Sequence, residues 1–281
     1  MLHVNIWGAG ELGATLARRL AESGVARRIA LIDEDQGRAR GKALDLMQAG
    51  PSSPFDALIE GFGAAADAPA ASLWVLADPP ELEHARSLEA ALALAEQAGG
   101  ACFVVARERG AADLVEALAR RARADRVLGS APIAHGAALR LRLAHELGVE
   151  RGDVAAMALG SPPEDVVVPS ALVGGLALER LSPVALRRAL QGLERRALGP
   201  VALAAAALRA IRALHAARES VQPALVVLGG EYGHRGVALA VPARLGRGRV
   251  AGIVELPLDP SDRVRFDRAA ERRQTGRARR S

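Results

Sequence analysis

The chain has 281 residues, half of them apolar, and 37 basic against 32 acidic side chains give a formal net charge of +5. That length carries two packed domains or one large one, the apolar share excludes a disordered chain, and the longest apolar runs, such as Val201 to Leu208, fall far short of the ~20 residues that span a bilayer. The charge is nearly all arginine, since Lys42 is the only lysine, and aromatics make up 2% of the chain, so the basic face interleaved with aromatics that nucleic-acid binding requires is not expected.

The first predicted element is a strand, Leu2 to Trp7, which runs directly into Gly8-Ala9-Gly10-Glu11-Leu12-Gly13 and a helix over 11–23. A second apolar run, Ile29 to Ile32, ends at Asp33, twenty residues beyond Gly13. Strand, GxGxxG, helix and an acidic residue at that distance make up the dinucleotide fingerprint. Gly8 permits the tight turn, Gly10 lets the backbone approach a pyrophosphate, and Gly13 lets the helix pack on the strand. The phosphates would lie at the helix N-terminus, over Glu11 and Leu12, where the dipole favours anions. Asp33 would accept hydrogen bonds from the adenosine ribose. Asp33, Glu34 and Asp35 would meet the 2′-phosphate of NADP with like charge, at roughly 1–4 kcal/mol per pair about 4 Å apart. NAD is therefore the expected cofactor, with NADP disfavoured.

Further strands are predicted near 28–33, 57–61, 72–77, 101–106 and 126–129, with helices over 37–49, 82–98 and 110–123 between them. Alternating βα units predict an α/β fold, a Rossmann doubly wound parallel sheet with its ligand outside the carboxyl ends of the strands. Cys102, the only cysteine, lies inside the run Ala101 to Val105 and reads as buried packing, with no disulfide and no metal site. The first strand leaves no room for a signal peptide, and a cytoplasmic location is expected.

The second half changes character. A helix over 134–147 is followed by strands near 154–159 and 166–178, then helices over 183–197 and 200–218. Three β segments (224–229, 236–244, 249–256) precede a last helix over 260–273. The reading is a dinucleotide domain over 1–130, an α+β domain over 131–273 and a basic tail over 274–281. The arginines from Arg268 to Arg280 are expected to form a frayed, solvated end.

Several motifs resemble the lactate and malate dehydrogenases. The loop from Gly8 to Gly13 is similar to that family's phosphate loop, and Gly41-Lys42-Ala43-Leu44-Asp45-Leu46 to its "GKALDL" helix. Val127-Leu128-Gly129-Ser130 resembles "VIGSG", and Leu143-Ala144-His145-Glu146-Leu147-Gly148-Val149 resembles "LAEELGV". Tyr232-Gly233, Val241-Pro242, Leu245-Gly246 and Ile253 to Leu258 follow in family order. The resemblance implies the family's two-part fold, a nicotinamide cofactor, and a homo-oligomer, dimer or tetramer, with the helices near 37–49 and 134–147 at an interface.

The catalytic motifs do not carry over. Where the resemblance implies the histidine of "GEHGD", this chain has Gly160-Ser161-Pro162-Pro163-Glu164-Asp165, and no histidine occurs between His145 and His215. The aspartate and arginine of "LDxxR" fall on His135 and Ala138, and the asparagine of "TNP" falls near Ala106-Arg107-Glu108. Between Pro80 and Arg107 the chain is about ten residues shorter than the family pattern, which removes the arginine-bearing lid unless Arg86 is its relic. Losing a positioned acid–base group costs ~10²–10⁴-fold in rate. The implied protein is an NAD-binding homologue, a pseudoenzyme unable to oxidise lactate or malate by the family mechanism. One alternative is an active oxidoreductase with a rebuilt site: His135 as acid–base group beside Glu164 or Asp165, and Arg107 or Arg140 as anion clamp. The other is a fold-only interaction protein. His135 also reads as a helix-start filler, and Arg107, Glu108 and Arg109 either line the crevice at the end of strand five or form a solvated βα loop. His84 and His145 read as exposed, His215 as a cation ending a helix, and His234 as structural.

Overall fold

Apolar runs flanked by glycine turns become strands in the computed structural model, which describes residues 2–53, 55–77, 84–178, 182–194 and 197–278, with backbone alone at 84–87, 183, 194, 277 and 278. In chain order, β1 (Leu2–Trp7), α1 (Glu11–Glu22), β2 (Ala26–Ile32), α2 (Gln36–Ala49), β3 (Leu58–Phe62) and β4 (Leu73–Leu76) come first. Next are α3 (His84–Gln97), β5 (Cys102–Val105), α4 (Ala111–Arg121), β6 (Val127–Gly129) and α5 (Ala131–Leu147). The six strands pair in parallel in the order β3-β2-β1-β4-β5-β6. This is the doubly wound order, with helices on both faces.

Side chains alternate between those faces, as the pleat requires. Val4 and Ile6 join Leu16, Leu20 and Ile211 in one buried cluster. Trp7, Ile32, Trp74 and Phe103 join Leu114 and Leu118 in the other. Cys102 is buried, as its run predicts, and its Sγ contacts the Gly248 carbonyl oxygen at 2.9 Å.

The second half supplies β7 (Val154–Ala156), β8 (Leu159–Ser161), β9 (Asp165–Val167), β10 (Ala171–Val173) and β11 (Leu176–Ala177). These precede α6 (Pro183–Glu194), α7 (Pro200–His215), β12 (Ser220–Gly229), β13 (Arg235–Gly246), β14 (Arg249–Ile253) and α8 (Pro260–Ala278). The sheet does not stop at β6: β12 pairs antiparallel with it through Leu225 and Gly129, and β13, β8 and β9 continue the same sheet. The strands β7, β10 and β11 form a separate small sheet.

Two expectations are corrected. The segment predicted as one strand over 166–178 divides into three, because Pro169 ends one and the pair Gly174-Gly175 turns the next back on itself. The last helix runs to Ala278, past its expected end at 273. Arg272 bonds Asp165 at 3.0 Å, and Arg273 bonds Asp113 at 2.5 Å and Glu116 at 3.1 Å, so these arginines anchor the helix instead of fraying. Among the described residues no helix is long and apolar enough to cross a membrane.

Candidate active site

Where β1 hands over to α1, Gly8 takes φ 102° and its N–H donates to the Ile32 carbonyl at 2.8 Å. A Cβ on Gly13 would lie 1.9 Å from the Gly8 carbonyl oxygen, so a side chain there is sterically impossible without backbone movement. Gly10 caps α1 with extended backbone and no side-chain hydrogen bond. Beside it, a cleft of about 320 Å³ is lined by Trp7, Ile32, Glu34, Gly63, Ala64 and Leu94. A glycine cradle closed to any side chain, next to an apolar slot, fits a dinucleotide.

Asp33 sits differently from expectation. It is 1% exposed, its Oδ2 accepts from the Ala9 N–H at 2.9 Å and its Oδ1 from the Asp35 N–H at 3.0 Å. Its carboxylate thus ties the end of β2 to the glycine loop. Arg38 adds a cation 3.8 Å from Asp33 and 3.7 Å from Asp35. The three unopposed charges expected from the sequence are therefore partly offset by Arg38.

A second cavity, of about 470 Å³, opens at the carboxyl ends of β5 and β6. The β5–α4 loop brings Glu108 and Arg109, the start of α5 brings Pro132 and His135, and the β8–β9 hairpin brings Pro163 and Glu164. His135 is 1% exposed, and its Nε2 stands 2.8 Å from Glu108 Oε1. The carboxylate approaches off the axis of the ring nitrogen, so neither Nε2 nor Nδ1 has a well-aligned hydrogen-bond partner. Glu108 Oε2 accepts from the Leu198 N–H at 3.1 Å. Burial pushes the Glu108 carboxyl up, but His135, the Leu198 N–H and the nearby Arg109 outweigh it and hold the group below the usual carboxylate range. Glu108 is ionised at neutral pH.

The residues singled out from sequence scatter around this centre. His135 lines the cavity, but its carboxylate partner is Glu108; Glu164 lines the same cavity and stays exposed, while Asp165 is buried against Arg272. Arg107 turns its Nε to the Arg109 carbonyl at 2.6 Å and does not border the cavity, and Arg109 takes that place. Arg140 lies in another groove, of about 680 Å³ between α5 and α7, where its Nη1 donates to the Ala156 carbonyl at 3.1 Å. Ala138 lines that groove too. His145 is exposed as expected, His234 bonds Asp267 at 2.7 Å, and the side chains of His84 and Arg86 lie outside the described residues. His215 is not a helix-end cation: burial pushes its imidazole down, and its Nε2 is buried without a partner. Of the two readings of Arg107, Glu108 and Arg109, crevice lining holds for Glu108 and Arg109, while the pairing of Glu108 with His135 had no sequence signal.

Strand order, glycine turn and a cavity at the carboxyl edge together define an α/β protein of the doubly wound class, in which ligands bind outside the carboxyl ends of the strands. The curated relatives narrow it. A malate dehydrogenase from Thioalkalivibrio sulfidiphilus is 30% identical over 295 residues, covering 96% of each chain. Another from Xanthobacter autotrophicus is 31% identical over 293 residues, covering 93% of this chain and 91% of that one. The chain belongs to the lactate/malate dehydrogenase family. Solved structures share its fold: the malate dehydrogenase of Aeropyrum pernix at TM-score 0.89 and 23% identity, covering 97% of this chain and 96% of that one. The minor L-lactate dehydrogenase of Enterococcus mundtii matches at TM-score 0.84 and 21% identity, with the same two coverages. No protein-family model matches the chain.

Proposed function

We propose that this dehydrogenase homologue binds NAD ahead of NADP and does not oxidise lactate or malate by the family mechanism. The dinucleotide half rests on one observation, the Gly8–Gly13 contact that no side chain can enter. Gly8, Gly10 and Gly13 shape the loop, the Glu11–Leu12 turn receives the phosphates, and Asp33 fixes the loop from behind. When bound, the nicotinamide supplies a hydride acceptor or donor, and the β5–α4 loop together with residues 131–273 supplies the substrate wall. The second half rests on residue identity. Pro162 and Pro163 stand where the family motif has its histidine, and Ala138, where it has its arginine, faces the other groove.

Of the catalytically silent and rebuilt-site forms of this reading, the second has the stronger support. Glu108 and His135 meet at 2.8 Å in a cavity at the expected edge of the sheet, and relatives named malate dehydrogenase favour an oxidoreductase. We further propose a cytoplasmic homo-oligomer, dimer or tetramer, joined through α2 and α5, where Leu44 and Leu141 are 60% and 54% exposed. Calorimetry with NAD, NADH and NADP tests the reading. NAD or NADH is expected to bind more tightly than NADP, and Arg38→Ala to widen that gap by about 0.5–1 kcal/mol. Equal affinity for NAD and NADP in the unmodified protein contradicts the cofactor preference, and no binding at millimolar concentration leaves only an interaction protein.

A further inference from the structure

The acid that the dinucleotide fingerprint assigns to the ribose is turned away from the slot beside the cradle. Asp33 is 1% exposed, its Oδ2 accepts from the Ala9 N–H and its Oδ1 from the Asp35 N–H, and Arg38 stands 3.8 Å from Oδ2. Each carboxylate oxygen has a lone pair to spare, but at that burial a hydroxyl reaches it only if the neighbours move. Moving them costs a bond that ties the end of β2 to the glycine turn.

The next residue faces the other way. Successive side chains of an extended chain point to opposite sides. Ile32 and Glu34 both line the slot of about 320 Å³, and Asp33, between them, does not border it. Glu34 is exposed, so its carboxylate meets a ligand without giving up a buried bond. Trp7, Ala64, Ala90 and Ala93 give the slot an apolar wall with one flat ring, which suits a purine.

We infer that Glu34, and not Asp33, reads the adenosine ribose: its carboxylate accepts a hydrogen bond from the 2′-hydroxyl of NAD and repels the 2′-phosphate of NADP. This inference rests on the dinucleotide reading above. With the purine in the slot and the phosphates at the Glu11–Leu12 turn, the ribose between them lies at the end of β2, one residue beyond Asp33. Asp33 is then a support of the glycine turn. Other charges stand near. Arg38 lies within 3.8 Å of Asp33 and 3.7 Å of Asp35, and Arg86, four positions before the slot residue Ala90, has its side chain outside the described residues. Substitution at position 34 alone holds all of them constant.

Calorimetry with matched probes tests it without any turnover: ADP against 2′-deoxyadenosine 5′-diphosphate for the hydroxyl, and NAD against NADP for the phosphate. The unmodified protein is expected to bind ADP about fivefold or more tighter than its 2′-deoxy analogue, as a hydrogen bond to a charged acceptor implies. Glu34→Ala should erase that ratio and narrow the NAD-to-NADP gap by about fivefold or more. Glu34→Gln, which keeps an acceptor and loses the charge, should retain most of the hydroxyl ratio and still narrow the gap. Asp33→Asn should weaken ADP and its 2′-deoxy analogue together and leave their ratio unchanged, which a ribose ligand would not do. No binding of ADP or NAD overturns the function reading and this inference with it. Equal affinity for NAD and NADP, with an ADP ratio that Glu34→Ala still erases, overturns the cofactor preference and leaves Glu34 as the ribose residue. Where ADP binds, unchanged ratios in Glu34→Ala, or loss of the hydroxyl ratio in Asp33→Asn, overturn the inference alone.

Discussion

The cradle at the β1–α1 turn is built of backbone: a left-handed glycine, a missing Cβ and a helix end. The cavity around His135 is built instead of side chains brought together from the β5–α4 loop, α5, the β8–β9 hairpin and α8. A backbone site has few solutions, since any Cβ at Gly13 strikes the Gly8 carbonyl at 1.9 Å. A side-chain site can be rebuilt one position at a time while the sheet beneath it stays fixed. Fold and cofactor cradle can therefore persist when the chemistry at the other end of the cleft changes.

The largest expected effect is on the cradle. Gly13→Ala should destabilise the protein by more than about 3 kcal/mol in urea unfolding and remove dinucleotide binding, because α1 must lift off β1. Retained affinity would show that the loop is looser than its contacts imply. The cavity side has its own support, and Arg273→Met tests it. That change removes the guanidinium that bonds both Asp113 and Glu116, the latter 6% exposed. A loss of about 2–3 kcal/mol is expected, below the cost of breaking a fully buried pair because Arg273 and Asp113 keep some solvent. Dinucleotide affinity should hardly change, which separates the two regions.

The smallest effect is a pH dependence from His215. Burial holds its folded pKa below the unfolded value of about 6.5, so the folded state resists a proton that the unfolded chain accepts. The stability involved is present in full above about 6.5 and declines as the pH falls through that value toward the folded pKa. Urea midpoints at pH 7.5 and 5.5 should differ less in His215→Gln than in the unmodified chain.

The cradle was legible in the sequence because its signal is local: Gly8, Gly10, Gly13 and the run up to Asp33 lie within one βαβ unit. Even there the outcome differed in detail, since Asp33 turns inward to the Ala9 N–H and Arg38 comes alongside, a contact that depends on how α2 starts. The cavity was legible only in part. His135 was found by its place in a motif, whereas Glu108 reaches it across twenty-seven positions of sequence through a loop whose path no periodicity encodes. The last helix was misjudged for the same reason. Its arginines read as a solvated end, and their partners Asp165, Asp113 and Glu116 lie more than a hundred positions away.

Malate-dependent reduction of NAD, at a dinucleotide concentration that calorimetry shows to be saturating, tests the proposed contrast between a retained cradle and a rebuilt cavity most directly. The expected result is full occupancy of the cradle with turnover at least ~10²-fold below the ~10 s⁻¹ of a median enzyme. Turnover near that median would mean that another group carries the proton for malate and that the cavity at His135 is not a departure from the family's chemistry.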